Sequence, residues 1–143
     1  MIRIMRFEDL DAVYAIEHGV FPNPWPRYFF EKDLESINTI AFVAVDNEQV
    51  IGYTLGSCIA NELHITNIAV DAGYQRRGVG LSLLKKLEGV AVERECNFAY
   101  LEVRTSNTAA INMYKKYGYG ILYTRKRYYI DGDDAYVMHK ELK

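Results

Sequence analysis

Ile68-Ala-Val-Asp-Ala-Gly-Tyr-Gln-Arg-Arg-Gly-Val-Gly-Leu81 is the stretch that organises the rest of this 143-residue chain. It begins as the end of a β-branched apolar run over residues 62–70, which reads as a strand. It ends as an amphipathic helix to about residue 94, with Leu83, Leu84, Leu87 and Val90 at helical spacing. Between them lies Gln75-Arg-Arg-Gly-Val-Gly80. A helix start presents unpaired N–H groups and partial positive charge, which suits an anion. Gly78 and Gly80 let that anion approach the backbone, and Arg76 and Arg77 add charge there.

Outward from this stretch, residues 2–6 alternate like an edge strand. Glu8 and Asp9 cap a predicted helix to about residue 20. The segment Phe21-Pro-Asn-Pro-Trp-Pro26 holds all three prolines and must be a loop. A short helix is expected over 28–36, strands over 40–45 and 50–58 around an Asp46-Asn-Glu48 turn, and a further strand over 98–103. Ser106 or Asn107 caps a helix through residue 116, with Gly118 and Gly120 at its exit. Two last strands, 121–130 and 135–142, flank an Asp131-Gly-Asp133 hairpin turn. The order β-α-α-β-β-β-α-β-α-β-β makes an α/β domain, a mixed and mostly antiparallel sheet flanked by helices, spanning residues 1–143.

Half the residues are hydrophobic, a quarter are charged, and the net charge is −2. Such a chain has no global pull toward nucleic acid or anionic membrane. Arg125, Lys126 and Arg127 read as a solvated face. Cys58 and Cys96 are far apart in sequence, so no metal is expected and both are read as free thiols of a reducing compartment. The N-terminus has no long apolar run, which points to the cytoplasm.

The glycine loop alone admits three readings. It is a helix start with convenient glycines, a dinucleotide turn with Glu102 as ribose ligand, or a site for the diphosphate of coenzyme A. Leu83 stands where the dinucleotide fingerprint needs its third glycine, and no Gly-Lys-Ser/Thr is present for a Walker loop. The 68–81 stretch resembles the acetyl-CoA motif of the GNAT family of N-acetyltransferases, Gln/Arg-x-x-Gly-x-Gly/Ala. Leu101-Glu-Val-Arg-Thr-Ser-Asn107, Ala109-Ala-Ile-Asn-Met-Tyr114 and Gly118-Tyr119 resemble its second half. Within that family the likeness is to N-terminal (α-amine) acetyltransferases. Leu-Glu-Val-Arg-x-Ser-Asn resembles both the RimI type and the archaeal relatives of the NatA catalytic subunit. Tyr128-Tyr-Ile-Asp-Gly-Asp-Asp-Ala-Tyr136, Phe21-Pro22 and Tyr28-Phe-Phe30 resemble the archaeal NatA group, whereas Pro24-Trp25 resembles RimI.

The resemblance implies acetyl-CoA as cosubstrate and no metal. Backbone at Ile68, Ala69 and Val70 would hold the acetyl and pantetheine part. Gln75 opens the motif, and amides of Arg76, Arg77, Gly78, Val79, Gly80 and Leu81 would hold the diphosphate. Asn107 would contact the pantetheine arm and Tyr114 the sulfur, with the cofactor lying where two neighbouring strands splay apart. Phe21, Pro22, Tyr28, Tyr128 and Tyr129 would receive the acceptor, a protein or peptide N-terminus, with ribosomal proteins as the RimI-type target. An auxiliary subunit, as in the NatA type, is not indicated.

Glu102 is the candidate base, set by alternation on the face opposite Leu101 and Val103; otherwise it faces solvent or pairs with Arg104. His64 is its candidate helper or a structural histidine, sharing a face with Val70 unless a bulge intervenes. Tyr114 is a proton donor to sulfur, a core tyrosine packed on Ala110 and Ile111, or both. At pH 7 roughly a tenth of an α-amine is neutral but only about 0.04 % of a lysine amine, so a modest base suffices for the former. Two alternatives remain: a small-amine (polyamine) acetyltransferase, favoured by Glu31, Asp33 and Glu35 near the loop, and a non-catalytic acyl-CoA-binding module.

Overall fold

The computed structural model describes residues 1–142. The elements are β1 (Ile2–Ile4), a 3₁₀ turn (Phe7–Asp9), α1 (Leu10–Val20), α2 (Arg27–Glu35), β2 (Thr39–Asp46), β3 (Gln49–Ile59) and β4 (Glu62–Val70). After a second 3₁₀ turn come α3 (Val79–Glu93), β5 (Phe98–Arg104), α4 (Thr108–Lys116), β6 (Gly120–Arg125) and β7 (Ala135–Glu141). All described strands form one seven-stranded sheet in the order β1-β2-β3-β4-β5-β7-β6. The β4–β5 pair is parallel and the others are antiparallel.

Two apolar clusters explain why the sheet is covered on both faces. On one face Ile40, Phe42, Leu63 and Leu101 pack with Leu83, Leu84 and Leu87 of α3 and with Ile111 and Tyr114 of α4. On the other, Val43, Tyr53 and Leu55 pack with Leu10, Val13 and Ile16 of α1 and Phe30 of α2. Alternation along each strand sends successive side chains to opposite clusters. Packing is close enough that Gly56 suits its place on β3: a Cβ there would lie 2.8 Å from Leu63 Cδ1 and 3.2 Å from the His64 carbonyl oxygen on β4, and 3.3 Å from Leu87 Cδ2 on α3. Among the described residues no helix is long and apolar enough to cross a membrane.

Two details differ from the sequence reading. Asp9 does not cap α1: its carboxylate accepts 2.8 Å bonds from Arg3 and a 2.7 Å bond from the Arg6 amide, tying β1 to the helix start. The closing strands are not joined by a tight turn. β6 ends at Arg125 and a long loop follows, because Asp131 and Asp133 are drawn to Arg104 on β5 at 2.9 and 2.8 Å. Residues 126–130, expected to be strand, lie in that loop. In the sheet β7 inserts between β5 and β6, so the last described strand is the neighbour of β5.

The β4–β5 junction shapes everything that follows. The two strands pair only at Glu62–Phe98, Leu63–Ala99 and His64–Tyr100 and then diverge. Opposite Leu55 and Gly56 the β4 register shifts, leaving Thr66 as an extra residue. Such a bulge turns the strand and reverses which face later residues occupy.

Candidate active site

Two cavities occupy the splay. The first, about 780 Å³, lies between β4, the glycine loop and α4. Its walls include Ile68, Ala69, Val70, Gln75, Arg76, Gly78, Val79, Gly80 and Leu81, with Asn107, Met113 and Tyr114 opposite. The Gln75 amide donates to the Val70 carbonyl at 3.0 Å, fastening the loop back onto the strand. Arg76 (φ 64°) and Gly78 (φ 81°) both sit in the left-handed region, a conformation that folds successive N–H groups into a concave, anion-receiving nest. Gly78 is the residue before α3, so the first free amides of that helix point out of the same loop. A Cβ at Gly80 would make only ordinary contact, 3.7 Å from Val70 Cγ2 and 4.0 Å from Met113 Sδ. The chain's own packing therefore does not require glycine there, and the backbone at Gly80 is left open to the cavity. These features fit a diphosphate. Arg77 departs from the expectation, because its guanidinium lies over Tyr74 at 5.3 Å and it lines a separate hollow with Met1, Ile2 and Ala44. The left-handed turns on either side of Arg77 send its side chain away from that of Arg76.

The second cavity, about 360 Å³, is lined by Glu102, Thr66 and Asn67 from the sheet and by Phe21, Pro22 and Trp25 from the α1–α2 loop. It shares Val20, Phe21, Ile68, Asn107, Ala110 and Tyr114 with the first, so the two meet at the Tyr114 side chain. Tyr114 is buried against Tyr119, ring centroids 5.8 Å apart. Burial, helped by nearby Tyr129, pushes its phenol well above the usual tyrosine range, so at neutral pH it is a hydroxyl donor. Asn107 caps α4 by accepting from the Ala110 amide at 3.2 Å, which leaves its own NH₂ group outside the cap.

Glu102 is nearly buried, and His64 Nε2 lies 2.7 Å from its Oε1. The imidazole stacks flat on Tyr100, centroids 4.5 Å apart at 5°. Glu102 does not pair with Arg104, which is taken up by Asp131 and Asp133. The Thr66 bulge puts His64 on the α1 face with Glu102, and Val70 on the α3 face beside Gly80. Even spacing alone had suggested one shared face.

At the mouth, Tyr129 is held by Arg104, whose guanidinium carbon lies 4.1 Å from the ring centroid. Burial, then the neighbouring Tyr128 hydroxyl, pushes the Tyr129 phenol up to about 12. Asn23 Nδ2 reaches Asp131 at 3.4 Å, linking the α1–α2 loop to the loop between β6 and β7. Tyr128 packs edge-on against Tyr129 beneath Arg125, within electrostatic reach of Glu102, at the rim of the cavity rather than among its lining side chains. Tyr28 is exposed on the outer side of α2 beneath Lys32, since Phe30 holds that helix's buried position. The structure therefore brings Phe21, Pro22 and Tyr129 to the cavity, and leaves Tyr28 and Tyr128 off its walls.

Sequence reasoning missed Glu17. It is 2 % exposed on α1. Its Oε1 accepts from the Tyr53 hydroxyl and from Asn67 Nδ2 at 2.7 Å, and its Oε2 accepts from the Trp25 amide at 2.9 Å. One carboxylate thus ties α1, β3, β4 and the proline-rich loop together beside the cavity. The signal was present: Glu17 falls four residues after Val13 and seven after Leu10, on the helix's apolar stripe.

The sequence profile of the Acetyltransferase (GNAT) family matches residues 10–119. The chain is 33 % identical to an N-alpha-acetyltransferase of Sulfurisphaera tokodaii, over 96 % of this chain and 90 % of that protein. The crystal structure of the ribosomal-protein-S18-alanine N-acetyltransferase from Escherichia coli superposes with a TM-score of 0.92 at 32 % identity, covering 100 % of this chain and 94 % of that one. Ard1 from Thermoplasma volcanium gives 0.91 at 28 % identity, covering 99 % and 96 %.

Proposed function

The chain belongs to the GNAT family of acetyltransferases, and from that premise we propose that it transfers the acetyl group of acetyl-CoA to the α-amine at a protein or peptide N-terminus. The observation that carries this reading is the meeting of a diphosphate-fitting cleft and a carboxylate-bearing cavity at one buried tyrosine. Amides of the glycine loop and the α3 start hold the diphosphate, and the backbone from Ile68 to Val70 with Asn107 directs the pantetheine arm. The bound thioester supplies an acyl carbon open to attack and a thiolate that must be protonated as it leaves. Phe21, Pro22 and Tyr129 flank the incoming N-terminus. Glu102, directly or through a water, takes the proton that the amine gives up on acylation. His64 fixes the Glu102 carboxylate through the 2.7 Å bond. Tyr114, kept neutral by burial, donates its hydroxyl proton toward the leaving sulfur.

The acceptor cavity is walled mainly by aromatic, aliphatic and proline side chains, and its two acids are already engaged, Glu17 by Tyr53, Asn67 and the Trp25 amide and Glu102 by His64. Glu31 on α2 is engaged by Arg27, and Glu35 by Lys32, all off those walls. That arrangement disfavours a polyamine acceptor, and the convergence of Glu102 and Tyr114 disfavours a module that only binds acyl-CoA. The S18 acetylation named for the Escherichia coli relative makes ribosomal-protein N-termini, met in the cytoplasm, the first acceptors to try. Incubation with acetyl-CoA and peptides differing in their first residue, with spermidine in parallel, tests the reading. Mass spectrometry should find one acetyl group on peptide α-amines. Acetylation of spermidine alone, or of nothing, would overturn it.

A further inference from the structure

The whole splay pivots on three residue pairs, Glu62–Phe98, Leu63–Ala99 and His64–Tyr100, which alone register β4 against β5 among the described residues. Cys58 stands opposite Leu63 across the β3–β4 pair, and Cys96 precedes Phe98 by two positions. Both pack into the α3-side core, Cys96 fully buried and Cys58 half-buried. Their sulfurs are 3.0 Å apart, although thirty-odd residues of chain separate them. Backbone bonds converge on the same spot: the Asn97 amide donates to the Asn61 carbonyl and the Leu142 amide to the Asn97 carbonyl, each at 2.8 Å.

We propose that Cys58 and Cys96 are the site of an intramolecular disulfide that clasps the closed end of the cleft. In forming it both S–H bonds break and one S–S bond forms. Two electrons and two protons pass to an external low-molecular-weight disulfide, which is reduced to two thiols. Cys58, the more accessible sulfur, exchanges first; Cys96 then displaces the small thiol from the mixed disulfide. The cross-link closes the segment that carries β4, the glycine loop and α3. It therefore joins the cofactor-holding half of the sheet covalently to the start of β5, at the point where pairing is thinnest. The two cysteines pack on the α3 face of the sheet, opposite the face that carries His64 and Glu102, and line neither cavity, so the bond braces the cleft without entering it. Burial, reinforced by the bond from Cys96, pushes the Cys58 thiol up to about 12, so exchange is slow at neutral pH and quickens as pH rises. The same burial shields the finished bond from reductants.

The test is prolonged incubation of the full chain with glutathione disulfide at mildly alkaline pH, against a sample kept in excess reductant. The oxidised protein should lose the mass of two hydrogens, resist alkylation at both cysteines and yield a Cys58–Cys96 cross-linked peptide on digestion. Its midpoint of thermal unfolding should rise by roughly 10 °C, as expected for closing a loop of this size in a domain of this length. Acetyl-CoA affinity should be unchanged. Cys58→Ser, at the half-buried position, should fold and show the same midpoint in both conditions. Two alkylatable thiols after oxidation, a stable glutathione adduct in place of the cross-link, or a cross-linked protein no more stable than the reduced one would each overturn the proposal.

Discussion

Replacing Glu102 by Gln is the most informative perturbation of the chemistry. The amide keeps the shape of the carboxylate and can still accept from His64 Nε2 at 2.7 Å, so the fold and the Tyr100 stack survive. What is lost is the capacity to take a proton. An α-amine near pKa 8 is already about one-tenth neutral at pH 7, so the variant retains a reactive fraction of substrate. The loss should therefore fall at the lower end of the range for general acid–base groups, about 10²-fold in kcat, or about 3 kcal/mol of transition-state stabilisation. Glu102 lines the acceptor cavity and not the cofactor cleft, so the KM for acetyl-CoA should stay at the wild-type value. The pH profile carries a second signature. With no base, only pre-formed neutral amine reacts, and the variant rate should climb about tenfold per pH unit until pH 8, more steeply than wild type. Initial rates of thiol release with a peptide acceptor, taken from pH 6 to 9, give both readouts. A variant with wild-type kcat and an unchanged pH profile would refute the assignment of Glu102.

Tyr114→Phe keeps the ring packed on Tyr119 and removes only the hydroxyl, so it should lower kcat within about 10²–10⁴-fold while acetyl-CoA binding, measured by calorimetry, persists. Glu17→Gln removes the charge that receives three donors in a buried setting and should destabilise the fold by about 3 kcal/mol in urea titrations. Because that carboxylate also pins the Trp25 amide, the same variant should raise the peptide KM more than the acetyl-CoA KM. Tyr53, Tyr114 and Tyr119 are held neutral chiefly by burial, their folded values lying above the unfolded one near 10. Their contribution is complete below pH 10 and is lost as pH rises toward the folded values. Above pH 10, stability should thus fall by up to about 4 kcal/mol per pH unit, with a cooperative step in phenolate absorbance accompanying unfolding.

Much of this was legible along the chain because local chemistry dictated it. The β-branched run set β4 at its observed bounds, Ser106 or Asn107 was the expected α4 cap and Asn107 is the one used, and the glycines marked the loop before α3. Alternation alone put Glu102 on its proper face. What escaped depends on contacts distant in sequence. Arg104 holding Asp131 and Asp133 keeps open a loop that Asp-Gly-Asp suggested was a tight turn. The Thr66 bulge, invisible in the periodicity, separates His64 from Val70 and joins it to Glu102. Glu17 shares the apolar stripe of α1, but what holds it there, Tyr53, Asn67 and the Trp25 amide, arrives from other elements. Tyr28 was assigned by likeness rather than by phase, and the helical phase of α2 gives the buried position to Phe30 instead.

Titration calorimetry of acetyl-CoA into the wild-type chain and into Gly80→Asp probes the central claim most directly. Gly80 tolerates a Cβ within the fold, and an acid in the first turn of α3 favours the helix, so the variant should fold with undiminished stability. The account predicts one-site binding to wild type and its loss in Gly80→Asp, where a carboxylate would stand in the diphosphate's place. Equal binding to both proteins, or no heat with wild type, would contradict it.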